Sequence, residues 1–265
     1  MSVIEAILLG LIQGLAEFLP VSSSGHLLLF QKIFGLNDVP MFFTIMLHMG
    51  TLFAVCIALR KELAAIFRKP FGKMTWMIVL ATVPTVIIAV LFKLLLGDAF
   101  DGAYLGFGFM ITGIALYCME LFPSGKRSLE EITVKDALSM GVAQGFGTLP
   151  GISRSGSTIV GGSFGGLSRD ALARFSFLMS IPAILGALVL DIKDVDFAAI
   201  SAGSAGVSWP CIIIGTIVAG VSGYFAVKWL LKLITKRSMR PFAYYTFVLG
   251  VLVTVDIYFS HIVFR

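Results

Sequence analysis

The sequence predicts an all-α polytopic membrane protein, with six transmembrane helices and two re-entrant helix–loop–helix hairpins arranged as an inverted-topology repeat. Three observations predict it. Of 265 residues, 58% are hydrophobic and only 13% are charged, against about 45–50% and about 25% in soluble domains. Six apolar stretches run uninterrupted for the length of a bilayer, and two more are broken in the middle. The two broken stretches resemble each other when the chain is shifted by 131 positions. A soluble enzyme, a disordered chain and a secreted disulfide scaffold are excluded by the first observation alone. The whole chain, 1–265, reads as one membrane domain, with a first repeat over about 1–122 and a second over about 132–265.

A span needs about 20 mostly apolar residues. Met41–Leu59, Met74–Leu96, Ala103–Leu121, Leu172–Leu190, Trp209–Leu231 and Phe242–Val263 meet that requirement. Val3–Phe34 and Ala137–Leu167 do not, because Pro, Gly and serine clusters interrupt them. Freed backbone N–H and C=O groups cannot face lipid, so each break must be buried in protein or line a watery cavity. The first Lys or Arg is Lys32, so the basic start of a cleavable signal is not expected.

Loop charges orient the spans by the positive-inside rule. Arg60–Lys73 carries five Lys or Arg and one Glu, Lys228–Arg240 carries five and no acid, and Lys126–Lys135 adds three. These are the expected cytoplasmic loops. Gly97–Gly102, with two Asp and no cation, and Asp191–Trp209, with three Asp and one Lys, are expected outside. The first hairpin then lies on the outer side and the second on the inner side. The net charge of +5 is accounted for by these flanking cations, so no nucleic-acid partner is expected. Cys56, Cys118 and Cys211 sit in apolar stretches without CxxC or Cys/His spacing and read as buried small hydrophobes.

With the offset of 131, Val3, Ala6, Gly10, Gln13, Gly14, Ser22, Ser24 and Gly25 fall on Val134, Ala137, Gly141, Gln144, Gly145, Ser153, Ser155 and Gly156, eight identities in 23 positions. Three crossings separate corresponding points, so the halves run in opposite directions across the membrane. Broken helices from both halves of such folds meet near the midplane and form the site.

Gln13 and Glu17, four apart, share a helix face. A Glu in an apolar helix either snorkels to the interface or faces a polar cavity, where it holds a cation or handles a proton. After Pro20 come Ser22, Ser23, Ser24, Gly25 and His26. One serine suffices as an N-cap for the next helix. Three hydroxyls, a histidine three residues from Ser23 and a Glu on the incoming arm together look like a nucleophile with a nearby base. His26 as a packed core histidine is the other reading. In the second hairpin, Arg154 stands among Ser153, Ser155, Ser157 and Thr158, with Gly151 and Gly156 beside it. Guanidinium, hydroxyls and successive N–H groups at a helix start read as a phosphate or pyrophosphate clamp. An arginine paired to Glu17 or to a carbonyl for structure is the alternative. Elsewhere, His48 reads as a packed helix-interface residue, Arg169 and Asp170 as the cap and boundary of a helix, and Glu120 as a span-end group reaching water. There is no GxGxxG and no P-loop.

The segments Gln13–Glu17, Ser22-Ser-Ser-Gly-His26 and Pro150-Gly-Ile-Ser-Arg-Ser-Gly-Ser-Thr158 resemble the signature regions of the bacterial undecaprenyl-pyrophosphate phosphatases, the bacitracin-resistance phosphatases. Their patterns are E/Q-x-x-x-E and P-G-x-S-R-S-x-x-T. Arg174-Phe-Ser-Phe-Leu and Pro182 also look familial, and the likeness covers essentially the whole chain. Gln13 stands where many members carry Glu, one negative charge fewer. The resemblance implies hydrolysis of undecaprenyl pyrophosphate to undecaprenyl phosphate and inorganic phosphate, recycling a lipid carrier for the cell wall and conferring bacitracin resistance. It implies Mg²⁺ or Ca²⁺ held by Glu17 with Gln13, attack by Ser23 or by a water it positions, and His26 as proton acceptor. Substrate-binding roles then fall to Ser22, Ser24, Gly151, Ser153, Arg154, Ser155 and Thr158. The implied place is the bacterial cytoplasmic (inner) membrane with the site facing the periplasm or exterior, and a homodimer is one assembly it allows. The competing class is an inverted-repeat transporter or lipid flippase for an anionic substrate.

Overall fold

The computed structural model describes residues 1–36, 39–96, 102–192, 195 and 206–264, with the side chains of 190 and 191 left aside. The described residues form helices and turns, joined by one isolated bridge between Arg127 and Leu167. Helix α1 (Val3–Phe18) starts at a Ser2/Glu5 capping box and stops before Pro20, as expected of a residue preceding proline. Helix α2 (Ser23–Ile33) follows a sharp turn. Then come α3 (Met41–Ala58), α4 (Arg60–Arg68), α5 (Lys73–Leu95) and α6 (Leu105–Met119). A short 3₁₀ turn at Leu129–Glu131 precedes α7 (Val134–Phe146), which opens on a Thr133/Asp136 capping box, and α8 (Arg154–Ser163). The chain closes with α9 (Arg169–Asp191), α10 (Trp209–Lys236) and α11 (Arg240–Val255), the last running into a π turn at Asp256–Ser260.

Among the described residues, five helices are long and apolar enough to cross a membrane: α3, α5, α9, α10 and α11 with its π turn. The sixth expected span is shorter than expected. Helix α6 has 15 residues, because it begins only after Gly102, at φ 98°, and ends at Glu120. The two broken stretches form the helix pairs α1–α2 and α7–α8. The stretch Arg60–Lys73, expected as a loop, contains the nine-residue helix α4, which buries no side chain. The acidic loops expected outside lie mostly beyond the described residues. Outward faces are strongly apolar: Leu94 and Leu95 on α5 are 74% and 75% exposed. Water would not tolerate a continuous surface of this kind on a monomer, but lipid does.

The helices interlock across the chain. Helix α1 packs along α10 and α7 along α5, so the first arm of each pair lies on a long helix of the other half. Helix α3 packs on α10 and α5 on α9, α3 meets α9, and α6 lies along α11. The α1–α10 contact depends on glycine. A Cβ at Gly14 would stand 2.5 Å from Ala219 O and 2.8 Å from Gly223 N, and one at Gly10 would stand 2.5 Å from Gly215 O. Such small-residue seams let backbones approach where no hydrophobic force drives helices together in lipid.

Three sequence expectations are corrected. Only Cys211 of the three free cysteines is buried; Cys56 is half-buried and Cys118 exposed. Ser168, not Arg169 or Asp170, caps α9, its hydroxyl accepting from Ala171 N at 3.3 Å. Glu120 is tied down: its carboxylate meets Arg169 at 2.8 Å and accepts from Ser238 Oγ at 2.8 Å and Met239 N at 3.0 Å.

Candidate active site

The two helix pairs meet turn to turn. Each short second arm has the same cap. Ser22 is the N-cap of α2 and accepts from Gly25 N at 3.3 Å; Ser153, its equivalent by the 131 offset, is the N-cap of α8 and accepts from Gly156 N at 3.1 Å. Capping uses up one serine per loop. The next residue of each loop, Ser23 in one and Arg154 in the other, becomes the first residue of its helix, at the positive end of the helix dipole. The turns are held in unusual conformations. Ser22 has φ 71°, and Gly151 has φ 84° with Leu105 and Gly108 backbone atoms pressed where a side chain would be. Ser155 Oγ ties the loops together by donating to Leu19 O at 2.9 Å.

Glu17 is the hub. It is 4% exposed, and four groups converge on its carboxylate. Gln13 Nε2 donates to Oε2 at 2.9 Å and Ser23 Oγ donates to Oε2 at 2.5 Å. Arg154 pairs with Oε1. His48 Nε2 stands 3.9 Å from Oε2. A buried carboxylate in an apolar bundle is tolerable only with partners of this kind. Thus Arg154 takes the structural pairing weighed from its sequence context, and the pair also faces a cavity of about 730 Å³ lined by Glu17, Ser23, Ser24, Ser153 and Arg154. The rest of its wall is largely apolar, including Ile45, Val86, Val90, Ile184 and Val189. A cavity with one polar, charged corner and an apolar flank suits an amphiphile with an anionic head.

The other sequence candidates lie behind this wall. His26 does not reach Ser23 by any hydrogen bond among the described residues. Its Nδ1 is 2.7 Å from Ser22 O, which only accepts, so Nδ1 carries the proton. Its Nε2, 2.7 Å from Tyr245 Oη, then accepts the tyrosine proton. The ring stacks on Tyr245 and meets Phe109 edge-on. The Ser23 hydroxyl thus bonds Glu17 rather than the histidine expected to serve it, while His26 holds the carbonyl of the positive-φ residue before Ser23. Thr158 is fully buried between α8 and α9, 2.5 Å from Ser176 Oγ, and bonds the Arg154 and Ser155 carbonyls. Thr158, Ser155, Ser22 and Gly151 shape the loops rather than line the cavity. Polar cavity residues not assigned to the site from the sequence are Thr44, His48, Thr85, Gln144 and Thr148. The repeat was the available signal for Gln144, the offset partner of Gln13.

Among the described residues, no cluster of three or more His, Cys, Asp and Glu is arranged to hold a metal ion. A closed cage for Mg²⁺ or Ca²⁺ is not built here. What lines the cavity fits a cation that shares its shell with substrate through one carboxylate, Glu17; Gln13 turns its Nε2 to that carboxylate, and its Oε1, buried and without a partner among the described residues, does not line the cavity. Mg²⁺ is commonly held by one or two carboxylates plus phosphate oxygens and water.

Comparison with known proteins matches the chain to a family. The family described as bacitracin resistance protein BacA matches residues 6–252. The chain is 48% identical to an undecaprenyl-diphosphatase of Carboxydothermus hydrogenoformans, over 96% of this chain and 97% of the relative. It is 42% identical to an undecaprenyl-diphosphatase of Halothermothrix orenii, over 96% and 98%, and 39% identical to undecaprenyl-diphosphatase 4 of Bacillus thuringiensis, over 99% and 100%. With matches of this extent, the chain belongs to the bacitracin resistance protein BacA family.

Proposed function

We propose that this chain is a multi-pass membrane phosphatase. It hydrolyses undecaprenyl diphosphate to undecaprenyl phosphate and inorganic phosphate, returns the lipid carrier to cell-wall synthesis and confers bacitracin resistance. One observation carries the chemistry: Glu17 and Ser23 from one loop and Arg154 from a loop 137 residues away meet at the polar corner of an otherwise apolar cavity.

The diphosphate enters between the N-termini of α2 and α8, and the prenyl chain lies along the apolar flank. Arg154 turns from Glu17 to the phosphate oxygens, with Ser153 and Ser24 beside it. Losing Arg154 leaves Glu17 free to act as base. Ser23 Oγ, already donating to Glu17, attacks the terminal phosphorus or holds the water that does, and its proton passes to Glu17. The bridging P–O bond breaks with its electron pair on undecaprenyl phosphate, which takes the proton from Glu17; where Ser23 has attacked, water then cleaves the phosphoserine, releasing inorganic phosphate and returning a proton to Ser23. When bound, Mg²⁺ or Ca²⁺ held by Glu17 would supply charge neutralisation. His26 positions the loop.

The finer topology is part of the same proposal. Six crossings, with α1–α2 and α7–α8 re-entrant, make two halves of opposite orientation. The mirrored packing of α1 on α10 and α7 on α5 supports this, and so do the basic loops on one side. The site then faces the outer side of the cytoplasmic membrane. The test is phosphate release by purified protein in detergent. Ser23→Ala should lower turnover about 10²–10⁴-fold, and a phosphoseryl species trapped at Ser23 identifies it as the nucleophile. Near-native turnover by Ser23→Ala removes it from the chemistry.

A further inference from the structure

Several polar residues of the cavity, Gln144 among them, are not used by the mechanism above. Gln144, on α7, is fully buried yet lines the same cavity as Glu17, Ser23 and Arg154. Its neighbours fix which way its amide points. Thr85 has one hydroxyl proton, and two carbonyls, Ala81 O and Gly141 O, stand at 2.9 Å to take it. Toward Gln144 the Thr85 oxygen can therefore only accept, which it does from Nε2 at 3.2 Å. Met179 O, 3.5 Å from the same nitrogen, also only accepts. Flipping the amide would set an oxygen against two acceptors. The orientation leaves Oε1 as a pure acceptor, buried and without a partner among the described residues. Buried polar atoms are rarely left so, and each exception calls for a reason.

Oε1 has the wrong polarity for a phosphate oxygen, which repels it. It suits a donor. Gln13, the offset equivalent, also has an unpartnered Oε1, but its nitrogen is committed to Glu17 and it does not line the cavity. Resting on the phosphatase reading, the reaction consumes one water per turnover, and water brings two donors. We propose that Gln144 Oε1 holds and aims the water that attacks phosphorus. The water oxygen bonds to phosphorus. The P–O bond to the leaving oxygen, whether the bridging oxygen or Ser23 Oγ of a phosphoserine, breaks with its electron pair. The proton shed by the water ends on that leaving oxygen by way of Glu17. Glutamine serves the same purpose for the attacking water in GTPases.

The experiment runs the purified chain on undecaprenyl diphosphate with methanol as a competing acceptor, measuring inorganic phosphate and methyl phosphate. Gln144→Leu should lower kcat about 10–100-fold, the scale set by loss of positioning, leave KM within about twofold, and raise the methyl phosphate share several-fold. Thr85→Val frees the amide to turn and should shift the ratio in the same direction as Gln144→Leu. It supplies a readout if Gln144→Leu does not fold. Native kcat and product ratio in Gln144→Leu, or a rise in KM alone, overturn the proposal while leaving the phosphatase intact. A native protein releasing no phosphate overturns the phosphatase reading itself.

Discussion

Glu17 and Arg154 depend on each other. Each is a charge that an apolar bundle tolerates only because the other is there, and each must separate from the other to meet the substrate. Substituting one should therefore cost both fold and turnover. Arg154→Lys keeps the charge but loses the planar fork that grips two phosphate oxygens. Phosphate release is expected to fall about 10²–10³-fold, the scale for removing one stabilising donor, with binding of inorganic pyrophosphate weakened in parallel. Tyr245→Phe separates the two roles considered for His26. If the histidine holds the Ser22 carbonyl, as its hydrogen bonds show, the variant loses one hydrogen bond, about 0.5–1.5 kcal/mol, and turnover drops less than about tenfold. A general base disturbed at this position would cost far more, about 10²–10⁴-fold. Glu17, Ser23, Ser24, Ser153 and Arg154, which line the cavity together, were legible as a group because charge and hydroxyls inside an apolar stretch are conspicuous. Their division of labour was not. Ser23 against His26 is a matter of which side of a helix start each occupies, and a positive φ at Ser22 decides that. His48 and Gln144 were hidden because a lone polar residue within a regular apolar helix resembles many packed ones.

At the level of elements, the helix ends position the chemistry. Ser153→Ala removes the α8 cap and should lower stability by about 0.5–2 kcal/mol. Activity should fall further than stability explains, since Arg154 is the next residue. The α1–α10 seam makes Gly14 intolerant: Gly14→Leu has no room against Ala219 O and Gly223 N. It should prevent stable expression, read as loss of a monodisperse peak in detergent. At the end of α6, burial pushes the Glu120 carboxyl up. Hydrogen bonds from Met239 N–H, Arg169 and Ser238, with the Arg169 charge, outweigh it and hold the group below its ordinary value. A lowered folded pKa contributes stability above the unfolded value, lost as pH falls through the folded one. Melting temperature should therefore drop below about pH 4.5, and Glu120→Gln should be lower at neutral pH and less sensitive to acid. The long helices and both breaks could be read from the sequence, since composition and length decide them. Helix α6 came out short and α4 appeared where a loop was expected, because capping and amphipathic surface helices leave little trace in an average of hydropathy.

Across the whole molecule, helix α1 packs along α10 and α7 along α5. The first arms cross over to pack on the opposite half, which brings loops 137 residues apart into contact. A lone half would bury neither first arm nor complete the Glu17–Arg154 pair, so neither half is expected to fold or act by itself. Expressing 1–122 and 132–265 as separate chains should give activity only when both are present in the same membrane.

The most direct measurement is phosphate release from undecaprenyl diphosphate by the purified native chain in detergent, alongside Glu17→Gln and Arg154→Ala. The expected result is steady release by the native protein and a loss of at least about 10²-fold in each variant. Absence of release by a folded native protein, together with movement of an anionic solute or lipid across liposomes, would contradict the assignment and make the paired loops a transport site.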